Sequence, residues 1–157
     1  MAICKDKPAF LVESCLLTFG LVSAGEAALA ESWRAAGLDR APLCWIKDGE
    51  ITVGTMEEYL PFRASRPSGK FALDDIDAAL AGRLSGALTA SGTMEVCRRL
   101  GVRCSVSGGI GGIGDVKGEE LCPDLPALRD LPVALVCTSP KDMLDIPATV
   151  EWLRNAG

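Results

Sequence analysis

The chain has 157 residues, of which 48% are hydrophobic, and its formal net charge at pH 7 is −5. This length and composition predict one globular domain with a sizeable core and exclude a disordered chain, while the negative charge argues against nucleic acid as the main partner. The sequence contains no histidine, which excludes Ser–His and Cys–His nucleophiles and leaves Lys, Asp, Glu, Cys, Tyr or a metal for any catalysis.

The first predicted elements are a strand, a helix and a hairpin. Residues 8–12, PAFLV, form a short apolar run typical of a buried strand. SAGEAALAESWRAAG then predicts a helix, with Ser23 and Glu26 placed as a capping box and Gly37 as the stop signal. LCWIKDGEITVG predicts a hairpin, because two apolar runs flank the pair DG at 48–49.

The middle of the chain continues the alternation of strands and helices. Residues 59–70 are rich in Pro, Arg and Ser and predict a loop that ends in Lys70. LDDIDAALAGRL at 73–84 predicts a helix, and GALTA at 86–90 predicts a short strand.

The next elements are a helix and two strands. Ser91 or Thr93 is placed to cap a helix that ends at Gly101. Residues 102–106 predict a β-branched strand between glycines, and PVALVC at 132–137 predicts another strand.

A last helix is predicted near the end, with Asp145 as its cap and Pro147 in its first turn. Strands that are almost continuously apolar and alternate with helices indicate a sheet covered on both faces. We therefore predict a single domain over 1–157 with an α/β fold, a layered α/β/α arrangement around a mostly parallel or mixed central sheet.

The stretch SGGIGGIG at 107–114 contains the G-x-G-x-x-G spacing of nucleotide-binding loops. A dinucleotide site would need a helix that opens directly from the loop, whereas Gly118 and Pro123 interrupt the sequence that follows. Two interpretations stay open: a loop whose backbone amides bind another anion, and a tight turn.

Ligands of α/β sheets gather outside the carboxyl ends of the strands. The residues that follow the predicted strands supply a carboxylate, several hydroxyls, the glycine loop and a lysine: Glu13-Ser14, Ser91-Gly92-Thr93, Ser107 with the loop, and Thr138-Ser139-Pro140-Lys141. This set suits a phosphorylated or polyhydroxylated substrate and covalent chemistry on lysine.

Each of these residues also has a plain structural interpretation. Glu13 can accept backbone amides in a turn, and Asp124 can be a turn residue that follows Pro123. Lys141 and Lys70 can be solvated surface lysines. It is their predicted common location that singles these residues out.

The seven cysteines show no metal or disulfide pattern. No two are spaced C-x-x-C, and their odd number fits a reducing compartment better than a disulfide scaffold. The N-terminal stretch imitates a secretory signal, but Glu13 interrupts its apolar run, and no apolar run reaches membrane-spanning length. We therefore expect a cytoplasmic protein.

Four stretches carry motifs in the same order as one protein family. KPAFLVESCLLTFG (7–20) is similar to KP-x-x-ALEST-I-I-x-HG, and GALTASGTM (86–94) is similar to GATT-V-A-x-TM. GVRCSVSGGIGG (101–112) is similar to G-I-x-V-F-x-TGGIGG, and residues 133–157 are similar to V-x-VVCAG-x-KSILDI-x-x-T-x-EYLE-x-x-G. The chain thus resembles the pseudouridine-5′-phosphate glycosidases, which include the indigoidine synthase A proteins.

The resemblance implies an enzyme that reversibly joins or separates uracil and ribose 5-phosphate at a C-glycosidic bond. In the family the ribose ring opens and a lysine forms an imine with the sugar. That lysine falls on Lys141, and a glutamate that acts as general acid and base falls on Glu13. A second lysine, which contacts the substrate, falls on Lys70.

The resemblance also implies further site positions. Those assigned to substrate binding are Ala90, Ser107, Gly108, Gly109, Cys122 and Asp124. The family's metal-binding aspartate aligns on Glu120, which implies Mn²⁺ or Mg²⁺. Three family features are changed: Phe19 replaces the histidine of HG, FALDD replaces V-S-R-R-D after Lys70, and the H-R-G after the glycine loop is missing.

Members of the family are longer, and their second half also lines the active site, so the chain resembles a member of roughly half length. The resemblance therefore implies a homo-oligomer or a separate chain that supplies the other half. Two hypotheses follow: a C-glycosidase that uses Lys141 and Glu13, or a non-catalytic or half-site protein. The second would bind a nucleotide or sugar phosphate, or assemble with a partner chain.

Overall fold

Strands and helices alternate along residues 7–114 and 121–156, which are the residues that the computed structural model describes. The strands are β1 Leu11–Val12, β2 Leu43–Lys47, β3 Glu50–Gly54, β4 Gly69–Phe71, β5 Gly86–Leu88, β6 Cys104–Ser107 and β7 Ala134–Cys137. The α-helices are α1 Glu26–Ala35, α2 Met56–Ala64, α3 Ile76–Ala81, α4 Ala90–Leu100, α5 Asp124–Asp130 and α6 Ile146–Ala156. None of these helices is long and apolar enough to cross a membrane.

The strands form one mixed sheet in the order β4-β5-β2-β1-β6-β7, and β3 pairs with β2 outside this order. The pairs β1–β2, β1–β6, β4–β5 and β6–β7 are parallel, whereas β2–β3 and β2–β5 are antiparallel. The predicted α/β fold with a mostly parallel or mixed sheet is confirmed.

The alternation of side chains along β2 separates two hydrophobic cores. Cys44 and Ile46 belong to the core that lies under α3 and α4, and Leu43 and Trp45 belong to the core under α1 and α2. In the second core the rings of Trp45 and Tyr59 pack edge to face, with centroids 5.5 Å apart. Helices therefore cover both faces of the sheet, as the apolar strands predicted.

The predicted hairpin is present as β2 and β3. Asp48 and Gly49 both have positive φ, 51° and 77°, which is the backbone conformation of a two-residue type I′ turn. The hydroxyl of Ser85 accepts a hydrogen bond from the amide of Asp48 at 2.8 Å and ties the turn to the start of β5.

The prediction of a loop over residues 59–70 was wrong. The first half of this segment, residues 59–64, lies in α2, which begins after Thr55 with a complete capping box: Glu58 donates its amide to the Thr55 hydroxyl and accepts from the Thr55 amide. Lys70 then lies in β4. Pro61 inside the helix costs stability, and the burial of Tyr59 and Phe62 in the core offsets it.

Arg63 in α2 is a buried cation, with 7% of its side chain exposed. Its Nε donates to the carbonyl of Leu17 at 2.8 Å, and Nη2 donates to the carbonyls of Leu21 and Ala24 at 2.7 and 2.8 Å. Nη1 pairs with Glu26 Oε1 at 2.8 Å. The guanidinium thus satisfies carbonyls of a π-helical turn, Leu16–Gly20, and of the chain that follows it.

Two predicted helix caps are wrong by a few residues. Thr89 caps α4 by accepting from the Gly92 amide at 3.2 Å, so Ser91 and Thr93 lie inside the helix. Gly25 precedes α1, and no side chain caps it, so the predicted role of Ser23 is not seen. The predicted cap at Asp145 is confirmed, since its Oδ1 accepts from the Ala148 amide at 2.9 Å.

We expect Arg63→Met to lower the free energy of unfolding by about 3 kcal/mol, because it leaves several carbonyl groups without a donor. Urea denaturation followed by circular dichroism measures the change. Arg34→Met is the matched control: Arg34 is largely exposed, and its guanidinium lies 3.8 Å from Asp39, so little change is expected. Equal losses in the two variants would contradict the role of Arg63.

Candidate active site

The end of β1 places a carboxylate inside the protein. The amide of Glu13 donates to the carbonyl of Val106 at 2.9 Å and so extends the pairing of β1 with β6. The Glu13 side chain is only 7% exposed. Directly after it the chain enters the π-helical turn, closed by a bond from the Leu21 amide to the Leu16 carbonyl at 3.0 Å. π-Helical turns are rare and are found frequently at functional sites.

The pKa of Glu13 is raised from 4.5 to about 7, chiefly because burial disfavours the charged form. A hydrogen bond from Ser107 opposes this shift, the negative charge of Asp124 adds to it, and the positive charge of Lys141 opposes it. A carboxyl group with such a pKa exists in both protonation states near neutral pH, as a general acid and base requires.

Ser14 joins the end of β1 to β5. Because β5 is antiparallel to β2, its carboxyl end would be expected at the opposite edge of the sheet from that of β1. β2 extends past β1, however, since Val12 pairs with Leu43, the first residue of β2. The ends of β1 and β5 therefore meet, and the Leu88 amide donates to Ser14 Oγ at 3.0 Å.

Backbone hydrogen bonds place the segment with Lys141 beside the glycine loop. The Ile110 amide donates to the carbonyl of Ser139 at 3.1 Å, and the Lys141 amide donates to the carbonyl of Ile110 at 3.2 Å. The Thr138 hydroxyl donates to the carbonyl of Gly108. The side chain of Lys141 is exposed to solvent.

Two loop glycines lie close to other side chains. A Cβ on Gly108 would meet the end of the Leu16 side chain, which is free to move, whereas a Cβ on Gly111 would overlap both the sulfur and the Cβ of Cys122. Ser107 closes the start of the loop, because its Oγ accepts from the Gly109 amide at 3.1 Å. Close packing thus explains glycine at position 111.

Asp124, the first residue of α5, is buried and uses both carboxylate oxygens. Oδ1 accepts from the Ser91 amide at 2.8 Å, and Oδ2 accepts from the Gly111 amide at 2.8 Å. The carboxylate therefore joins the first turn of α4 to the glycine loop. The plain interpretation of Asp124 as a turn residue was wrong, since it begins a helix and makes long-range contacts.

The charges of both lysines act on Cys15. Burial raises the pKa of its thiol, while the charges of Lys70 and Lys141 lower it and those of Glu13 and Asp124 raise it. Lys70 is an exposed residue of β4, where it pairs with Ala87 of β5. The sequence interpretation did not identify Cys15, because a cysteine in an apolar run looks like a core residue.

The structure brings together most of the residues that the resemblance implied. Near Glu13 and Lys141 lie the loop residues and the residues that flank them: Ser107, Gly108, Gly109, Asp124 and Cys122. Burial raises the pKa of the half-buried Cys122 thiol. Ala90 is buried as the first residue of α4.

The resemblance implied one metal ligand, Glu120. Glu120 falls outside the residues that the structure describes. Within residues 7–114 and 121–156 there is no group of three or more Cys, Asp and Glu side chains that could hold a metal ion. The expectation of Mn²⁺ or Mg²⁺ at Glu120 thus stays a prediction.

The fold and the site define an α/β protein with a buried carboxylate and a lysine beside a glycine loop. Residues 1–157 match the family model of the indigoidine synthase A like proteins. The chain belongs to this family.

Several curated relatives are named pseudouridine-5′-phosphate glycosidase. The chain is 34% identical to a pseudouridine-5′-phosphate glycosidase of Myxococcus xanthus, over 99% of this chain and 54% of the relative. It is 32% identical to one of Caldanaerobacter subterraneus, over 99% of this chain and 53% of the relative. The chain thus spans about half the length of the curated relatives that it matches.

Two solved structures share the fold. An indigoidine synthase A-like protein from Thermotoga maritima has a TM-score of 0.85 and 27% identity, and the match covers 99% of this chain and 54% of that one. The prealnumycin C-glycosynthase AlnA, solved in complex with ribulose 5-phosphate, has a TM-score of 0.76 and 30% identity, with 96% of this chain and 50% of that one covered.

We expect Asp124→Asn to lower the free energy of unfolding by about 2 kcal/mol, because a carboxamide turns its NH₂ group toward one of two buried amide donors. Denaturant unfolding checks this value. Asp130→Asn at the exposed end of α5 is the control, and it should leave stability close to that of the parent protein. Similar losses at the two positions would argue against the bridging role.

The stability of Glu13→Gln relative to the parent protein should rise with pH. The pKa of Glu13 is about 7 in the folded protein, above the ordinary value of 4.5 that applies to the unfolded chain. The parent protein therefore loses stability as the pH rises from 4.5 to 7. Above pH 7 the difference in the free energy of unfolding should become constant, with the Gln variant more stable by about 3 kcal/mol. Thermal or urea unfolding from pH 4 to 8 measures it.

Glu95→Gln is a control for which the stability difference from the parent protein should have the opposite sign at neutral pH. Hydrogen bonds from Arg98 and Arg99 lower the pKa of Glu95, so this carboxylate stabilises the fold at neutral pH and loses that contribution as the pH falls. The Gln variant should therefore be the less stable one at neutral pH, by an amount that shrinks in acid. A pH-independent difference for Glu13→Gln would mean that its carboxyl group titrates normally.

Proposed function

We propose that the chain acts as a C-glycosidase that reversibly cleaves a C-nucleoside 5′-phosphate, such as pseudouridine 5′-phosphate, into its base and ribose 5-phosphate. Support comes from the curated relatives, which are named pseudouridine-5′-phosphate glycosidases, and from AlnA, a C-glycosynthase solved with ribulose 5-phosphate. The observation that carries the proposal is the buried carboxyl group of Glu13 at the end of β1, next to β6 and to the glycine loop, to which the segment with Lys141 is hydrogen-bonded.

The covalent step uses the amine of Lys141. Its nitrogen forms a bond to C1′ as the bond from C1′ to the ring oxygen breaks, and that oxygen takes a proton from Glu13. Glu13 regains a proton from the amine nitrogen and passes it to C5 of uracil. The bond between C1′ and C5 then breaks, its electron pair re-forms the C5=C6 double bond of uracil, and the nitrogen lone pair closes a C=N bond. Water hydrolyses the imine to release ribose 5-phosphate.

Glu13 is suited to these proton transfers. A carboxyl group that titrates near neutral pH can give a proton to the ring oxygen and regain one before the base leaves. Burial excludes bulk water, which would otherwise compete as acid or base. The Glu13 amide, bonded to the Val106 carbonyl, keeps this residue next to the strand that leads into the glycine loop.

Recognition of the phosphate falls to the glycine loop and Lys70. Residues 108–109 lack side chains, which lets a ligand approach their backbone closely. Lys70 adds a positive charge from the neighbouring part of the sheet. Manganese or magnesium bound through Glu120 would supply further positive charge toward a phosphate.

A second candidate function is that of a non-catalytic or half-site protein, which binds a nucleotide or sugar phosphate or assembles with a partner chain. The exposure of Lys141 favours it. An amine attacks carbon in its neutral form, and removal from water favours that form. The same amine in contact with water is a weaker nucleophile.

We expect a borohydride-trapped adduct on Lys141 when the protein is incubated with ribose 5-phosphate, or with pseudouridine 5′-phosphate and Mn²⁺. Mass spectrometry of proteolytic fragments locates the adduct. Lys141→Ala should abolish it, and Glu13→Gln should slow its formation by about 100-fold, the usual contribution of a general acid and base.

Lys47→Ala at the exposed end of β2 is the matched lysine control and should leave the adduct unchanged. Adducts of equal yield on Lys47 and Lys141 would mean unspecific reaction of surface amines. No adduct from well-folded protein would favour the binding or half-site function.

A further inference from the structure

A cleft lies at the end of the sheet where β4 and β5 begin. It is lined by residues 65–69, which lead from α2 into β4, by residues 83–85, which lead into β5, and by Phe71. Its volume of about 480 Å³ is within the range of small-molecule sites. The candidate active site contacts the other end of β5, where the Leu88 amide donates to Ser14. The cleft is therefore a separate place in the fold.

Lys70, which the proposed function uses, is a neighbour of this cleft and not part of its lining. It lies between Gly69 and Phe71 in β4, and successive side chains of a strand point to opposite faces of the sheet. Phe71 packs in the core under α3 and α4, so the Lys70 side chain is on the other face.

Two arginines of the cleft occupy strained backbone positions. Arg66 has a φ of 53°, and Arg83 has a φ of 52°. Their amides donate to the carbonyls of Arg63 at 3.0 Å and Leu80 at 3.2 Å, so each arginine closes the end of a helix, α2 or α3. Glycine is the usual residue at such positions, because a side chain strains the left-handed backbone. Strained residues of this kind are concentrated at functional and ligand sites.

The interaction of a cation with a helix C-terminus does not account for both positions. α2 already has Arg63 in its last turn, where a cation gains this interaction without a strained backbone. What Arg66 and Arg83 share is the cleft, since both contribute to its lining.

The charges of the two arginines are available to a ligand. Both side chains are exposed, and among the described residues neither forms an ion pair with a carboxylate. Asp48 is an acidic neighbour of the cleft, because the Ser85 hydroxyl donates to its Oδ1 at 3.3 Å. Two guanidinium charges exceed this one carboxylate, and each exceeds the partial charge of about half a unit at a helix C-terminus. The cleft is therefore positive in a chain whose net charge is −5.

The lining indicates the chemistry of the ligand. Two cations match a phosphate monoester, with a charge of about −1.5 to −2 at pH 7, better than they match the single charge of a carboxylate. A guanidinium group can donate two parallel hydrogen bonds to phosphate oxygens. Pro67, Phe71 and Leu84 add apolar lining beside this charge, which leaves room for an organic group attached to the phosphate.

We propose that the cleft binds the phosphate group of a small molecule through Arg66 and Arg83. Free phosphate uses the two guanidinium groups alone, whereas an organic phosphate also uses the apolar lining. An arginine at each strained position lowers the stability of the free protein, and the ligand contact is the reason for keeping it there. This binding is independent of the covalent chemistry at Lys141.

The test titrates isotope-labelled protein with inorganic phosphate and, separately, with phenyl phosphate, and follows the backbone amide signals by NMR. We expect saturable shifts at residues 65–69 and 83–85. Arg66→Gly and Arg83→Gly should each weaken binding by about tenfold or more, because each removes a charge-assisted hydrogen bond. Tighter binding of phenyl phosphate would identify an organic phosphate as the ligand, and equal binding would identify free phosphate.

The same variants separate binding from stability. Glycine adopts the left-handed conformation without strain, so neither variant should lower the urea concentration at the midpoint of unfolding. Arg40→Gly, at an exposed position in the turn before β2, is the matched control and should bind both ligands like the parent protein.

Two results would overturn the proposal. The first is a set of shifts confined to the glycine loop at 107–111, because phosphate then binds at the candidate active site alone. The second is equal affinity in the parent protein and in both cleft variants, because the arginines then take no part in binding. Shifts at both places would mean two sites, of which only the cleft should depend on Arg66 and Arg83.

Discussion

The carboxylate of Asp124 holds the parts of the candidate site at fixed distances from one another. One oxygen accepts from the first turn of α4 and the other from the glycine loop, and the residue itself begins α5. Three segments that are distant in sequence thus meet at two charge-assisted hydrogen bonds. Because the charge is buried, it also contributes to the raised pKa of Glu13. One side chain therefore determines both the geometry and part of the electrostatics of the site.

A second buried charge stabilises the other wall of the site. Arg63 donates to carbonyls that the π-helical turn leaves unsatisfied, and that turn carries Leu16 against Gly108. A cation in α2 therefore stabilises a turn that lies next to the glycine loop. Buried charges of this kind cost solvation free energy, and the bonds that they make to fixed backbone groups offset that cost.

The sequence predicted the fold class because short strand patterns, apolar as in β2 or β-branched as in β6, alternate with helix patterns. It did not predict α2, since Pro61 and Arg63 suggest a loop and the helix depends on the tertiary contacts of Arg63. The carboxylate and lysine of the site followed from what comes after each strand and from motif resemblance. Cys15 and the bridging role of Asp124 did not, because both depend on contacts between segments distant in sequence.

The thiols at the rim of the site have a chemical consequence. Burial raises the pKa of Cys15, Cys122 and Cys137, so each stays protonated at neutral pH. A thiolate, and not a thiol, attacks electrophilic carbon. Open-chain sugars offer such a carbon, and a sulfur nucleophile would divert it into a dead-end adduct. Burial therefore keeps these three sulfur atoms in the less nucleophilic thiol form.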